Sequence, residues 1–367
     1  MQGTEKYRIL VINPGSTSTK IAVYDGSKRI LSEKINHTRE EILSFARVVD
    51  QFDFRYKIIK EELEKKGIAL TTLHAVVGRG GMLHPLAGGT YEVNEKMLAD
   101  LREGVQGQHP ANLGGLIAHV ISQQYGIPAY VVDPIAVDEM EDVSRLSGFK
   151  AIKRRSLGHA LNVRRVARLA ARDLGKEYGK TNLILAHLGG GISIYAQRQG
   201  RLVDVENSNH EGPFSPERAG GLSTTDLINL CFSGRYTREE LLNLVLRQGG
   251  VCSYLGTADI EEVEGRIQKG DREAQLVLEA MILQIAKCIG AMAAVLEGQV
   301  DGIVLTGGLA HSRYITGRLR QRVGFIAPVL IYPGEEEMTA LAEGALRVLT
   351  GQEEAKQYVG EEAEQCQ

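Results

Sequence analysis

Tryptophan is absent, and 13 tyrosines with 7 phenylalanines bring the aromatic share to only 5%. That leaves little from which to build base-stacking platforms. An excess of one charge is also missing: 43 Lys and Arg stand against 46 Asp and Glu, a net charge of −3. Nucleic acid and anionic membranes are therefore poor main partners, while a local positive site for an anionic substrate stays open. The four cysteines (Cys231, Cys252, Cys288, Cys366) are scattered, with no C-x-x-C pair. No zinc signature follows, and reduced thiols in a cytoplasmic protein are expected. The first residues, MQGTEKYRILVIN, hold no long apolar region and no small-residue cleavage site. The longest apolar stretch, Leu276 to Leu296, contains Glu279, Gln284 and Lys287 and reads as a buried helix. There is no G-x-x-x-x-G-K-[ST], and no G-x-G-x-x-G after the first strand. Neither a P-loop protein nor a Rossmann dinucleotide enzyme is expected.

What is present begins with RILVINPGSTSTKIAVYD, Arg8 to Asp25. Two apolar runs, Ile9 to Ile12 and Ile21 to Tyr24, flank a Gly/Ser/Thr turn and read as a strand hairpin. Gly15 permits a tight turn with neighbouring N–H groups facing outward, the hydroxyls suit phosphate oxygens, and Lys20 adds a point charge. An ordinary polar hairpin has the same composition. A third strand is expected near Arg29 to Ile35, then a helix over Arg39 to Lys66. Ala75 to Val77 is a strand leading into Gly78-Arg79-Gly80-Gly81, where glycines would let a ligand approach a lone arginine. Asp133 follows the strand Ala129 to Val132, and the acidic run Asp138 to Asp142 reads as a solvated face. His159 stands at the start of a helix, Ala160 to Leu174, where a neutral ring suits better than a cation.

The opening pattern then recurs. LAHLGGGISIYAQRQGRLVD, with its turn at Gly189-Gly190-Gly191, matches the first hairpin as strand, glycine turn, strand, short turn, strand. A second arginine, Arg218, sits beside glycines. A strand over Asp301 to Thr306 feeds Gly307-Gly308, and a closing helix runs over Thr339 to Leu349 before an acidic tail from Gln352 that is expected to fray. With 367 residues there is room for two domains. The duplication points to two similar α/β halves, each turning one glycine hairpin toward a cleft. Residues 1–150 plus 340–367 would form the first half, and 151–339 the second.

VINPGSTSTK, VVGRGG, QHPANLG, VDP, HLGGGIS, PERAGG and VLTGGLAH, in this order over nearly the whole chain, resemble the acetate and butyrate kinases of the acetokinase family. That family lies within the superfamily of sugar kinases, heat-shock chaperone ATPases and actin. NPGSTSTK, VDPIAVDEMEDV and HLGGGIS look most like the butyrate kinase members, where acetate kinases carry NAGSSSLK, FDTAFH and HLGNG. The resemblance implies two ribonuclease H-like domains with mixed sheets flanked by helices. It implies reversible transfer of a phosphoryl group from ATP to a short-chain carboxylate, butyrate favoured, by direct in-line attack. Acetate, propionate or branched acids are the alternative substrates, and an ATPase switch of the chaperone or actin kind is the alternative of another class. By position, Asn13 and Glu337 would serve Mg²⁺, and Ser16, Ser18 and Lys20 the phosphate path. Arg79 and His109 would bind the substrate, with Arg79, Asp133, His159 and Arg218 catalytic. His187, Gly189, Gly190, Gly191, Asp259, Gly307 and Gly308 would hold ATP or ADP. Gly190 departs from the asparagine of the acetate kinase form, and Glu336 is the fallback for Glu337. No nucleic-acid or membrane partner is implied, and a homo-oligomer, at least a dimer, is expected.

Overall fold

The computed structural model describes residues 6–360, and Cys366 lies outside them. The chain divides into two compact units. One comprises Met1–Asp138, Ala160–Asn162 and Glu336–Gln367, the other Glu139–His159 and Val163–Glu335.

The first unit is built on a six-stranded sheet in the order β3-β2-β1-β4-β6-β5. These strands are β1 (Arg8–Pro14), β2 (Ser18–Asp25), β3 (Lys28–Asn36), β4 (Ala75–Arg79), β5 (Thr90–Glu92) and β6 (Ala129–Val132). Ile9 to Ile12 are apolar on both faces and wholly buried. That suits a central strand, and β1 runs antiparallel to β2 and parallel to β4. Lys28–Asn36 alternates between exposed and half-buried residues at the edge. Helix Asn112–Tyr125 covers one sheet face through Leu113, Ile117 and Ile121, and helix Glu337–Leu349 covers the other through Leu341 and Ala345.

The second unit carries five strands in the order β11-β10-β7-β8-β9. They are β7 (Leu183–Leu188), β8 (Ile192–Arg198), β9 (Arg201–Glu206), β10 (Gly302–Gly307) and β11 (Val329–Pro333). β7, β8 and β9 repeat the antiparallel meander of β1, β2 and β3, and β7 pairs in parallel with β10 as β1 does with β4. The duplication expected from the two glycine hairpins is thus present in the strand order. Helix Arg272–Val295 is long and apolar enough to span a membrane by length and composition. Its Met281, Ile282, Ile285 and Ile289 instead form the centre of this unit's core.

Several local expectations are corrected. The stretch 39–66 is not one helix: Arg39–Leu43, a 3₁₀ turn at Val48–Gln51 and Phe52–Lys65 are separate pieces. The break is fixed where Asp50 accepts from the backbone N–H of Arg47 at 2.9 Å. Gly250–Leu255 forms a short helix. The acidic run is not simply solvated, because Glu139 is nearly buried and pairs with Arg164 at 3.0 Å. The tail does not fray as far as Gly360. Lys356 N–H donates to the Thr90 carbonyl, and buried Tyr358 donates to Asp100 at 2.8 Å; the remaining tail residues fall outside those described.

The glycines around Arg79 serve packing rather than ligand approach. A Cβ on Gly78 would lie 2.1 Å from the Gly114 carbonyl oxygen, and one on Gly80 would lie 2.4 Å from Pro134. Helix Asn112–Tyr125 therefore rests directly on β4. Gly78→Ala is expected to destabilise the fold by about 3 kcal/mol, the upper range for forcing a methyl into a filled core. Thermal or urea unfolding checks this, and an unchanged midpoint would refute the close approach.

Candidate active site

In the first unit, strand ends and one helix start gather three of the expected residues. Asn13 closes β1, Arg79 closes β4, and Glu337 opens the final helix. The Asn13 amide donates to one carboxylate oxygen of Glu337 at 2.9 Å, and the Arg79 guanidinium donates to the other. Glu336 turns away, accepting from the Thr339 hydroxyl at 2.9 Å. Burial alone would push the Glu337 carboxyl up. The Arg79 charge and hydrogen bond, the Asn13 amide and Lys20 outweigh it, and the group sits below its ordinary value. His109 Nδ1 accepts the Ala111 N–H at 3.1 Å. Burial first, and then the Arg79 charge, holds His109 below its usual range, so its ring is neutral at pH 7. Asp133 is buried with a left-handed φ of 38°. Its carboxylate accepts the Gly89 N–H at 2.7 Å, tying it to the 88–90 loop. Ser16 and Lys20 are exposed at the hairpin, and Ser18 is nearly buried.

The donors here fit a hard divalent cation. One carboxylate and one amide oxygen are the ligands Mg²⁺ takes beside phosphates and water. Both Glu337 oxygens already accept from protein donors, which suits contact through water. Among the described residues no group of three or more His, Cys, Asp or Glu forms a dedicated metal cage.

In the second unit, the turn between β7 and β8 gathers the rest. His159 and His187 stack with centroids 3.7 Å apart and planes 8° apart. His159 Nδ1 lies 3.1 Å from the Ser193 hydroxyl, and its backbone N–H donates to Tyr195 Oη at 3.0 Å. His187 Nε2 lies 3.0 Å from Glu335.

Arg218 lies against the same turn. A Cβ on Gly191 would fall 2.0 Å from its guanidinium, and Arg218 Nη1 donates to the Ser208 hydroxyl at 2.7 Å. Burial lowers the Arg218 pKa while the Glu217 charge raises it, and the side chain remains a cation. Gly190, Glu217, Asp259, Gly308 and His311 line a cavity of about 760 Å³. Asp259 also caps its helix, accepting the Glu261 N–H at 2.9 Å. Gly307 serves packing, with φ 89° and a Cβ position 2.3 Å from the Leu188 carbonyl oxygen. On its other side Arg218 borders a mostly apolar cavity of about 660 Å³ that includes Leu222, Phe232, Tyr236 and Val245.

Glu217, Ser208, Ser193 and Glu335 were not foreseen as site residues. Ser193 sits within HLGGGIS and Glu217 within PERAGG, so those motifs contained them without distinguishing them, and Glu335 precedes Glu336 in the chain. Ser208 lies outside every motif, and only the fold brings it to Arg218.

Residues 150–323 match the acetokinase family. Butyrate kinase 2 of Clostridium acetobutylicum is 50% identical over 354 residues, 96% of this chain and 99% of that protein. Butyrate kinase 1 of the same organism is 50% identical over 353 residues, again 96% and 99%. The crystal structure of Porphyromonas gingivalis acetate kinase shares the fold with a TM-score of 0.78 at 21% identity, over 94% of this chain and 100% of that one.

Proposed function

The chain belongs to the acetokinase family, and from that premise we propose that it phosphorylates a short-chain carboxylate with ATP, butyrate preferred, giving the acyl phosphate and ADP reversibly. In support, each unit carries an arginine near its copy of the repeated hairpin, Arg79 at the end of the strand beside β1 and Arg218 on the β7–β8 turn. Arg79 joins Asn13 and Glu337, and Arg218 lies on Gly191.

A carboxylate is already ionised at pH 7, so its attack needs no general base. One carboxylate oxygen forms a bond to the γ-phosphorus, and the bond from that phosphorus to the β,γ-bridging oxygen breaks as ADP leaves. The obstacle is the approach of two anions, and catalysis amounts to alignment and charge neutralisation. Arg79 holds the acid's carboxylate, with neutral His109 beside it. Arg218 meets the transferring phosphoryl group. His159, as a neutral donor, would give a hydrogen bond without adding charge. The cavity at Gly190, Asp259 and Gly308 takes the nucleotide. Mg²⁺ would be served by Asn13 and Glu337 and would neutralise phosphate charge when bound. Asp133 orders the 88–90 loop beside β6. On family grounds the protein acts in the cytoplasm as at least a homodimer.

Acyl phosphate trapped with hydroxylamine, from ATP, Mg²⁺ and a panel of acetate, propionate, butyrate, isobutyrate and isovalerate, tests this. Butyrate is expected to exceed acetate in kcat/KM by about 10- to 200-fold, the range that a pocket for extra methylenes delivers. A maximum at acetate would keep the chemistry and move the substrate. ATP hydrolysis with no acyl phosphate from any acid would overturn the proposal and favour an ATPase switch.

A further inference from the structure

Arg55, in helix Phe52–Lys65, is fully buried. Among the described residues no carboxylate pairs with it. Its Nε donates to Gln51 Oε1 at 3.0 Å. Its Nη1 donates to the Ser18 carbonyl at 3.2 Å and to the Thr19 hydroxyl at 2.9 Å, and Nη2 has no hydrogen-bond partner. Burial draws its pKa down to about 10, so the group is still a cation at neutral pH. An unpaired buried cation is costly, and an apolar side chain would fill the space more cheaply.

It sits behind the tip of the first hairpin. The Ser18 carbonyl also accepts the Gly15 N–H at 2.7 Å, closing the hairpin tip. His37 N–H donates to the Thr17 carbonyl at 2.9 Å, and His37 Nε2 lies 2.8 Å from the Thr19 hydroxyl. Burial and the Arg55 charge push the His37 pKa down, leaving that ring neutral. The Thr19 hydroxyl accepts from Arg55 and also shares a hydrogen bond with His37 Nε2. Three consecutive residues, Thr17, Ser18 and Thr19, are thus fixed from behind. Ser16, Thr17 and Lys20 stay exposed in front.

We propose that Arg55 is a positioning residue for phosphate binding. It holds the 15–19 tip in place and supplies a permanent buried charge whose counter-ion is the phosphate chain of the nucleotide bound in front. This rests on the phosphate-facing role of the hairpin in the proposed kinase.

The test compares Arg55→Lys, Arg55→Met and Thr19→Val by calorimetric Kd for ATP with Mg²⁺, by the KM for each substrate, and by circular dichroism. Arg55→Met is expected to bind ATP about tenfold more weakly and to raise the ATP KM in step, with the acid KM unchanged. Arg55→Lys keeps the charge and is expected to stay within about threefold of the parent. A folded Arg55→Met with an unchanged ATP Kd would overturn the proposal, as would Arg55→Lys binding no better than Arg55→Met. If Arg55→Met does not fold, Thr19→Val decides: a weaker ATP Kd supports the proposal and an unchanged one overturns it. The Kd is read without turnover, so a protein that binds ATP but makes no acyl phosphate fails as a kinase while still deciding the role of Arg55.

Discussion

Arg218→Ala is expected to lower kcat for acyl phosphate formation about 10³-fold, with a much smaller change in the ATP KM. An arginine on a transferring phosphoryl group contributes 10³ or more, because it meets charge that develops in the transition state. The structure holds this guanidinium ready for that task. Its Nη1 is anchored on Ser208, its backbone N–H donates to Ser215 Oγ at 3.1 Å, and the bare face of Gly191 lets it lie on the turn. Little rearrangement is left to be done as the reaction proceeds. The fold should tolerate the change, since Arg218 is only partly buried in a loop and no carboxylate forms a salt bridge with it among the described residues. Arg218→Lys should recover only part of the rate, since an ammonium cannot reproduce the planar fork lying on Gly191. Initial rates of trapped acyl phosphate, with circular dichroism as control, measure the effect. A loss under tenfold would remove Arg218 from the transition state.

The chain patterns that carried most were those in which one physical demand dominates. Ile9 to Ile12 must be buried on both faces, so β1 and its hairpin were legible from the residues alone. The same demand revealed Leu183 to His187, and with it the repeat. The glycines beside Arg79 were legible as special positions but not for their purpose, because a glycine needed for a ligand and one needed for helix Asn112–Tyr125 look identical in one dimension. Arg55 was illegible for a related reason. It lies in a charged helical stretch beside Asp53, Lys57 and Lys60, where an arginine reads as solvent-facing. Only the packing of that helix against β2 takes it out of water. Tyr358 was hidden in an acidic tail, since one aromatic residue gives no periodicity, yet it fills a core position and satisfies Asp100. Glu139 was hidden the same way, its partner Arg164 lying a helix further on.

Glu337 differs from its neighbours Glu335 and Glu336 by a partner set that only the fold assembles, and its substitution is the second large effect expected. Glu337→Gln should lower kcat/KM about 100-fold, the scale for losing a group that orders a metal through water. The amide keeps the size and shape but offers one acceptor oxygen where Asn13 and Arg79 both donate, so the loss reports the carboxylate rather than packing. The pH dependence has a definite sign. Arg79, Asn13 and Lys20 hold the Glu337 carboxyl below its ordinary value despite burial. A carboxyl depressed on folding stabilises the native state above the unfolded pKa of about 4.3, and that contribution is lost as pH falls through the lower folded value. The parent should therefore melt higher than Glu337→Gln at pH 7, and the gap should narrow below about pH 4 as the parent carboxyl protonates. Between pH 6 and 8 neither the gap nor the rate ratio should change on account of this group. Melting temperatures of both proteins from pH 3 to 8 read the sign directly. A gap that widens toward acid would mean that Glu337 is protonated in the native protein, and would place the charge that Arg79 and the metal need on another residue.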